Sequence, residues 1–129
     1  MKPLLLLLAG LLVGCATNYR TQTLTPLDNG REVTVKVGEF LTVELPSNHT
    51  TGYGWADHSE GIKIVQQIGS ADYMQDSTVG LVGAGGTEIW QFRATTAGRQ
   101  NLRMDYIRPW EKDVAPVKTV SFILVVSEK

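Results

Sequence analysis

Few side chains in this sequence are equipped for covalent or acid–base chemistry. There is one cysteine, Cys15, and there are two histidines, His49 and His58. Neither histidine stands in a metal-ligand spacing or beside a nucleophile in a recognisable triad. His49 therefore reads as a surface side chain rather than a catalytic base. The glycine-rich run Gly83-Ala84-Gly85-Gly86 is a phosphate cradle in composition only, because neither Gly-Lys-Ser/Thr nor a helix follows it. Nothing here calls for a metal or a cofactor, and the chain reads as a protein that binds rather than an enzyme.

Cys15 carries chemistry of another kind. Met1-Lys2-Pro3 is a short basic start, and Leu4 to Val13 is an apolar run broken only by Ala9 and Gly10. That run is too short to span a bilayer as a helix and fits the apolar core of a signal peptide. It ends in Leu12-Val13-Gly14-Cys15, which resembles a bacterial lipobox, whose cysteine thiol accepts a diacylglycerol. A lone cysteine cannot form an internal disulfide, and a lipidated one is expected where a free exported thiol is not. Residues 1–14 are thus expected to be a lipoprotein signal peptide. Ala16, rather than Asp, follows the cysteine, so no inner-membrane retention signal is present. The expected place is the cell envelope, with the lipid anchor at Cys15 in the outer membrane and the domain facing the periplasm. In that setting the glycosylation sequon Asn48-His49-Thr50 is a chance match.

Three segments have the composition of binding loops. The first is Ser47-Asn48-His49-Thr50-Thr51-Gly52-Tyr53-Gly54-Trp55. Gly52 is expected at positive φ, where other residues meet a steric cost, and Tyr53 and Trp55 are expected to plug back towards the core. Taken alone, this loop reads better as a plain turn whose hydroxyls bond the local backbone. The second is Gly83-Ala84-Gly85-Gly86, whose slim backbone can approach another surface closely. The third is Arg108-Pro109-Trp110, a stiff corner bearing the two side chains most enriched at interface hot spots. Trp55 and Trp90 suit the core, whereas Trp110 lies past a strand end among polar residues and is expected to be exposed.

The elements that position these loops are strands. The chain has 129 residues, a formal net charge of −1, 13 glycines and 5 prolines. That is enough for one modest, turn-rich domain, with no electrostatic footprint for nucleic acid. Residues 15–30 are polar and threonine-rich with an Asp28-Asn29-Gly30 turn. They are expected to form a tether, although Thr21 to Thr25 could instead add an edge strand. Val33, Val35 and Val37 then alternate with polar residues, and Gly38-Glu39 suggests a type II′ hairpin into Leu41, Val43 and Leu45. Further strands are expected at 62–68, 73–79, 89–94, 102–106 and 117–126, and no stretch shows a 3.6-residue period. About seven strands over residues 31–129 argue for an all-β, immunoglobulin-like sandwich. In such a fold successive connections alternate between the two ends. Connections two–three, four–five and six–seven, which hold the three loops, therefore share one end.

Asn-x-Thr-Thr-Gly-Tyr, then Gly-x-Gly-Gly, then Arg-Pro-Trp, in this order and near these spacings, resembles the chagasin family of cysteine protease inhibitors. The likeness extends to Val33–Glu39, Leu45–Asn48 and Gly83–Glu88, and covers the chain from about Arg31 to Val126. It implies an immunoglobulin-like fold and reversible occlusion of papain-like cysteine proteases. By resemblance, Asn48 to Tyr53 form the central loop, with Thr50, Thr51 and Gly52 entering the cleft. Gly83 to Gly86 pass along one side of it, and Arg108, Pro109 and Trp110 line the other. One departure is His49, where the family usually has proline; losing proline raises the entropy of the free loop and is expected to weaken binding or alter selectivity. The expected partners are papain-like proteases and, through the anchor, a membrane, with the protein itself a monomer. A different class of reading is an envelope-anchored immunoglobulin-like binding module whose loops grip a non-protease partner.

Overall fold

The alternation of apolar and polar residues is realised as two packed antiparallel-rich sheets. The computed structural model describes residues 20–75 and 85–128. Among them the strands are β1 (Thr21–Leu24), β2 (Glu32–Lys36), β3 (Phe40–Ser47), β4 (Gly54–Asp57), β5 (Val65–Gln67), β6 (Asp72–Gln75), β7 (Gly86–Ala94), β8 (Gly98–Ile107) and β9 (Lys118–Ser127). One sheet has the order β1-β3-β7-β5, with β6 also on β7; the other has the order β2-β9-β8-β4. The core lies between them. Leu41, Val43 and Leu45 of β3 and Trp90, Phe92 and Ala94 of β7 meet Leu102, Met104 and Tyr106 of β8 and Phe122, Leu124 and Val126 of β9. With no disulfide available, this interdigitated apolar layer holds the sheets together by burial and close packing.

Three sequence expectations are corrected. The tether does not extend to Gly30, because β1 pairs in parallel with β3, Thr21 opposite Phe40 and Leu24 opposite Val43. Leu24 is buried, and Thr25 caps a one-turn 3-10 helix at Pro26–Asp28 through a capping box. Asn29 Oδ1 then accepts the Ser121 N–H at 2.8 Å. The edge-strand alternative is thus the one the structure adopts for Thr21–Leu24. Secondly, Gly38-Glu39 is not a hairpin turn. β2 pairs with β9 and β3 with β7, so the chain changes sheets here. Glu39 N–H donates to Lys36 O at 3.0 Å, with Gly38 third in the turn at φ 93°, as a type II turn requires.

The third correction concerns the strand count, and it preserves the conclusion drawn from that count. β4 was not expected, being only four residues long and rich in small and aromatic side chains. β5 and β6 were expected as two passes across the sandwich, yet both run antiparallel to β7, β5 on Phe92–Ala94 and β6 on Gly86–Ile89. They are one interrupted pass. One added pass and one removed leave the alternation of ends unchanged. The β3–β4, β6–β7 and β8–β9 connections do share one end: Ser47 and Gln75 both pair with Gly86, and Gly54 pairs with Ile107. The chain enters at the opposite end, where Phe40 N–H donates to Arg20 O.

Candidate functional site

The first loop is a locally closed turn. Asn48 caps a 3-10 helix at His49–Thr51, and Gly52 ends it at φ 80°. Asn48 Oδ1 accepts from Thr50 N–H at 3.1 Å and from Thr50 Oγ1 at 2.6 Å. Thr51 Oγ1 donates to Asn48 O at 2.6 Å and accepts from Tyr53 N–H at 3.3 Å. The hydroxyls thus bond the loop itself, as the plain-turn reading has it. Their effect is to fix the turn while His49, Thr50 and Thr51 stay exposed.

Tyr106 is the post beneath this turn. Its hydroxyl accepts from Asn48 N–H at 2.9 Å, and its ring packs against Tyr53 and Trp55 at centroid distances of 5.3 and 4.9 Å. Trp55 is buried, with Nε1 donating to Pro46 O at 2.9 Å. Tyr53 and Trp55 therefore turn inward as the sequence suggested. Glu88 is the second support. It is buried at the top of β7, and its carboxylate accepts from Trp55 N–H at 3.2 Å and Trp90 Nε1 at 3.3 Å. Its Oε2 also lies 3.3 Å from His49 Nε2. His49 is consequently more than a surface side chain, since its ring also stacks on Tyr73 at 3.8 Å and 14°.

The third loop is fastened to the first. Arg108 Nε donates to Thr51 O at 3.1 Å, NH1 donates to Glu111 at 3.1 Å, and the guanidinium lies 4.3 Å from the Tyr53 ring centroid. Arg108 acts as a brace, while Pro109 and Trp110 are exposed, Trp110 by 66%. The indole of Trp110 covers Gly52 so closely that a Cβ on that glycine would overlap it. Gly52 is therefore required twice, by its positive φ and by its neighbour.

Of the second loop, Gly83 and Ala84 lie outside the described residues, as does Cys15. Gly85 is half-buried beside Ser47 O. Gly86 corrects an expectation: it is buried, and a Cβ there would run into Met74 O and the Tyr73 ring. Its slimness serves internal packing, not an outside surface. Glu88, Tyr106 and Tyr73 were not singled out in the sequence as supports. An acidic residue on the inward register of β7, where alternation calls for an apolar one, is the signal that was there to find.

His58 is likewise structural. On the outer face of β8, Asp105 is buried and accepts from His58 Nδ1 at 2.8 Å, Thr119 Oγ1 at 2.8 Å and Arg103 Nε at 3.1 Å. Burial pushes its carboxyl up, but the hydrogen bonds from His58, Arg103 and Thr119, with the charge on Arg103, outweigh it and hold the pKa below the ordinary carboxylate value. A depressed folded-state pKa stabilises above the unfolded value, and that stability is lost as pH falls through the folded one. Replacing Asp105 by Asn should therefore make thermal stability fall less steeply between about pH 5 and pH 2, as read by melting curves across that range. An equally steep fall in the variant would remove Asp105 from the cause.

Residues 34–124 match the family model for the chagasin family peptidase inhibitor I42. The chain belongs to the chagasin family. It is similar to chagasin of Trypanosoma cruzi, 36% identical over 92 residues, which are 67% of this chain and 80% of that one. It is 31% identical to amoebiasin-1 of Entamoeba histolytica over 90 residues, 68% of this chain and 83% of that one. The fold matches the crystal structure of a cysteine protease inhibitor from Entamoeba histolytica with a TM-score of 0.73 at 19% identity, covering 83% of this chain and 96% of that one. As a family member the protein is a cysteine protease inhibitor and not an enzyme. The braced first and third loops and the base of the second form the end of the sandwich on which that activity can rest.

Proposed function

We infer that the protein inhibits papain-like cysteine proteases reversibly, by laying the three-loop end of the sandwich across the active-site cleft. The observation that carries this reading is the fusion of the first and third loops into one rigid, exposed surface: Arg108 holds Thr51, and Trp110 lies over Gly52. A surface already ordered in the free protein loses little entropy on docking. Thr50, Thr51 and Gly52 enter the cleft, Pro109 and Trp110 flank it on one side, and the loop ending at Gly85 flanks it on the other. No chemistry is required of the inhibitor, which excludes substrate and offers the nucleophile no well-placed peptide bond.

Trp110 tests the flanking contact. Truncating a hot-spot aromatic typically costs about 2 kcal/mol, roughly a thirtyfold loss of affinity. Trp110→Ala should weaken inhibition of papain by about that factor, mainly through faster dissociation, with the melting temperature almost unchanged because the indole is largely solvent-exposed. Full inhibition by the variant would take the third loop out of the site.

The same reading places the protein on the bacterial envelope through an acylated Cys15, on the support of Leu12-Val13-Gly14-Cys15 and the apolar run before it. Each buried CH₂ of an acyl chain contributes about 0.8 kcal/mol to membrane binding, so two or more chains hold firmly. Cys15→Ser should move the protein out of the membrane fraction, and mass spectrometry should find the native N-terminus to be a modified Cys15. An unmodified start at another residue would end this part of the proposal.

A further inference from the structure

The inhibitory turn is tied to the sandwich by an unusual pair of contacts at His49. The imidazole opens the 3-10 helix that carries Thr50 and Thr51. One face of it lies flat on Tyr73 of β6, and its Nε2 reaches the carboxylate of Glu88 on β7. The Glu88 side chain is only 6% exposed, whereas that of His49 is 47% exposed. The same carboxylate holds Trp55 N–H at the far end of the loop, so one buried anion grips both ends of the turn. Tyr73 in turn fills the space left open by Gly86, and its hydroxyl donates to Ser47 O at 3.4 Å. The clamp therefore joins the first loop to the strands that carry the second.

We propose that His49 is a positioning residue that locks the inhibitory turn onto Glu88 and Tyr73, and that its protonation tightens the lock, so that the inhibitor holds best to peptidases working in mildly acidic surroundings. Histidine is the side chain that changes charge between about pH 5 and 8. Neutral, His49 donates to the buried carboxylate only in the tautomer that carries its proton on Nε2. Charged, it always donates from Nε2 and adds the attraction of opposite charges. Among the described residues, the titratable groups that face it are Glu88 from β7 and Tyr73 from β6. The cation of the third loop, Arg108, is engaged by Thr51 O, Glu111 and the Tyr53 ring. Rigidity that a proline would supply covalently is supplied here by a contact that responds to pH.

This deepens the inhibitor reading and rests on it for the identity of the turn, so the test includes a readout that needs no protease. Amide hydrogen exchange of the free full-length chain, corrected for intrinsic rates, is compared at pH 5.5 and 7.5 for the native protein, His49→Gln and Glu88→Gln. Protection of the amides from Thr50 to Tyr53 should rise about fivefold at the lower pH in the native protein and stay level in both variants. Inhibition constants against papain are measured over the same range. Dividing native by His49→Gln values at each pH removes the titration of papain itself, and the native protein should gain about fivefold relative to the variant as pH falls. His49 lies on an exposed turn, so His49→Gln remains informative if Glu88→Gln fails to fold. Parallel pH profiles for native protein and His49→Gln in hydrogen exchange would overturn the proposal. Absent inhibition of papain alongside a pH-dependent native turn would overturn the inhibitor reading and leave the clamp standing.

Discussion

Gly52→Val should raise the inhibition constant against papain by on the order of a hundredfold while the sandwich stays folded. Gly52 sits at φ 80°, in the left-handed region that a β-branched residue enters only at a cost of about 1–3 kcal/mol. Its Cα is also roofed by the Trp110 indole. The new side chain must displace the ring, so one substitution disturbs the shape of the first loop and the position of the third. Gly52 lies beyond the core, among hydrogen bonds that end at Asn48 and Tyr53, so the sheets should be spared. Inhibition kinetics and circular dichroism on the same preparation give the answer. Native inhibition constants in a folded variant would mean that the turn is not the wedge.

Trp90→Ala should cost about 3–5 kcal/mol of fold stability. Trp90 is buried in β7 and stacks on Phe92 at 6.4 Å, so removing it leaves a cavity between sheets that no disulfide holds. It also takes one donor from the buried Glu88 carboxylate. Against a total stability of about 5–15 kcal/mol, this should lower the melting temperature by on the order of 15 °C. The contrast with Trp110→Ala is the informative part: one tryptophan supports the fold and the other the interface. A melting temperature unchanged in Trp90→Ala would contradict the position of that indole.

The long strands were legible because two neighbouring sheets impose a strict period of two. Val33 and Val35, Leu41 to Leu45, Trp90 to Ala94 and Leu102 to Tyr106 all announce which face is buried, and each faces the core. Short elements carry too few residues to show a period, which is why β4 at Gly54–Asp57 went unseen and why β5 and β6 passed for separate crossings. Partner choice was the least legible property. The Val37-Gly38-Glu39 turn fits a hairpin locally, and only the pairing of β2 with β9, its partner residues lying far along the chain (Glu32 opposite Ile123), overrules it. In the site, the exposed tips were readable from residue type. Their supports were readable only in part: Glu88 on the inward register of β7 signals a buried acid, but not which backbone N–H groups it will meet. Gly86 shows the limit from the other side: glycine marks a close approach, but the sequence does not say whether the approaching surface is foreign or, as here, the protein's own Tyr73.

The polarity of chain entry has a bearing on geometry at a surface. β1 starts at the end of the sandwich remote from the three loops, with Arg20 O beside Phe40 N–H. A ten-residue strand such as β9 spans roughly 33 Å at about 3.3 Å per residue, so the loops stand about that far from the foot of the domain. The residues from Cys15 to Arg20 can add at most about 20 Å when fully extended. A bilayer holding the acyl chains of Cys15 would therefore keep the foot of the domain within about 20 Å of the headgroups, with the three loops at the end remote from the anchor. Proteases diffusing in from the aqueous side would meet the wedge first. A protease embedded in the same leaflet, with its cleft close to the lipid, would lie below the wedge's reach.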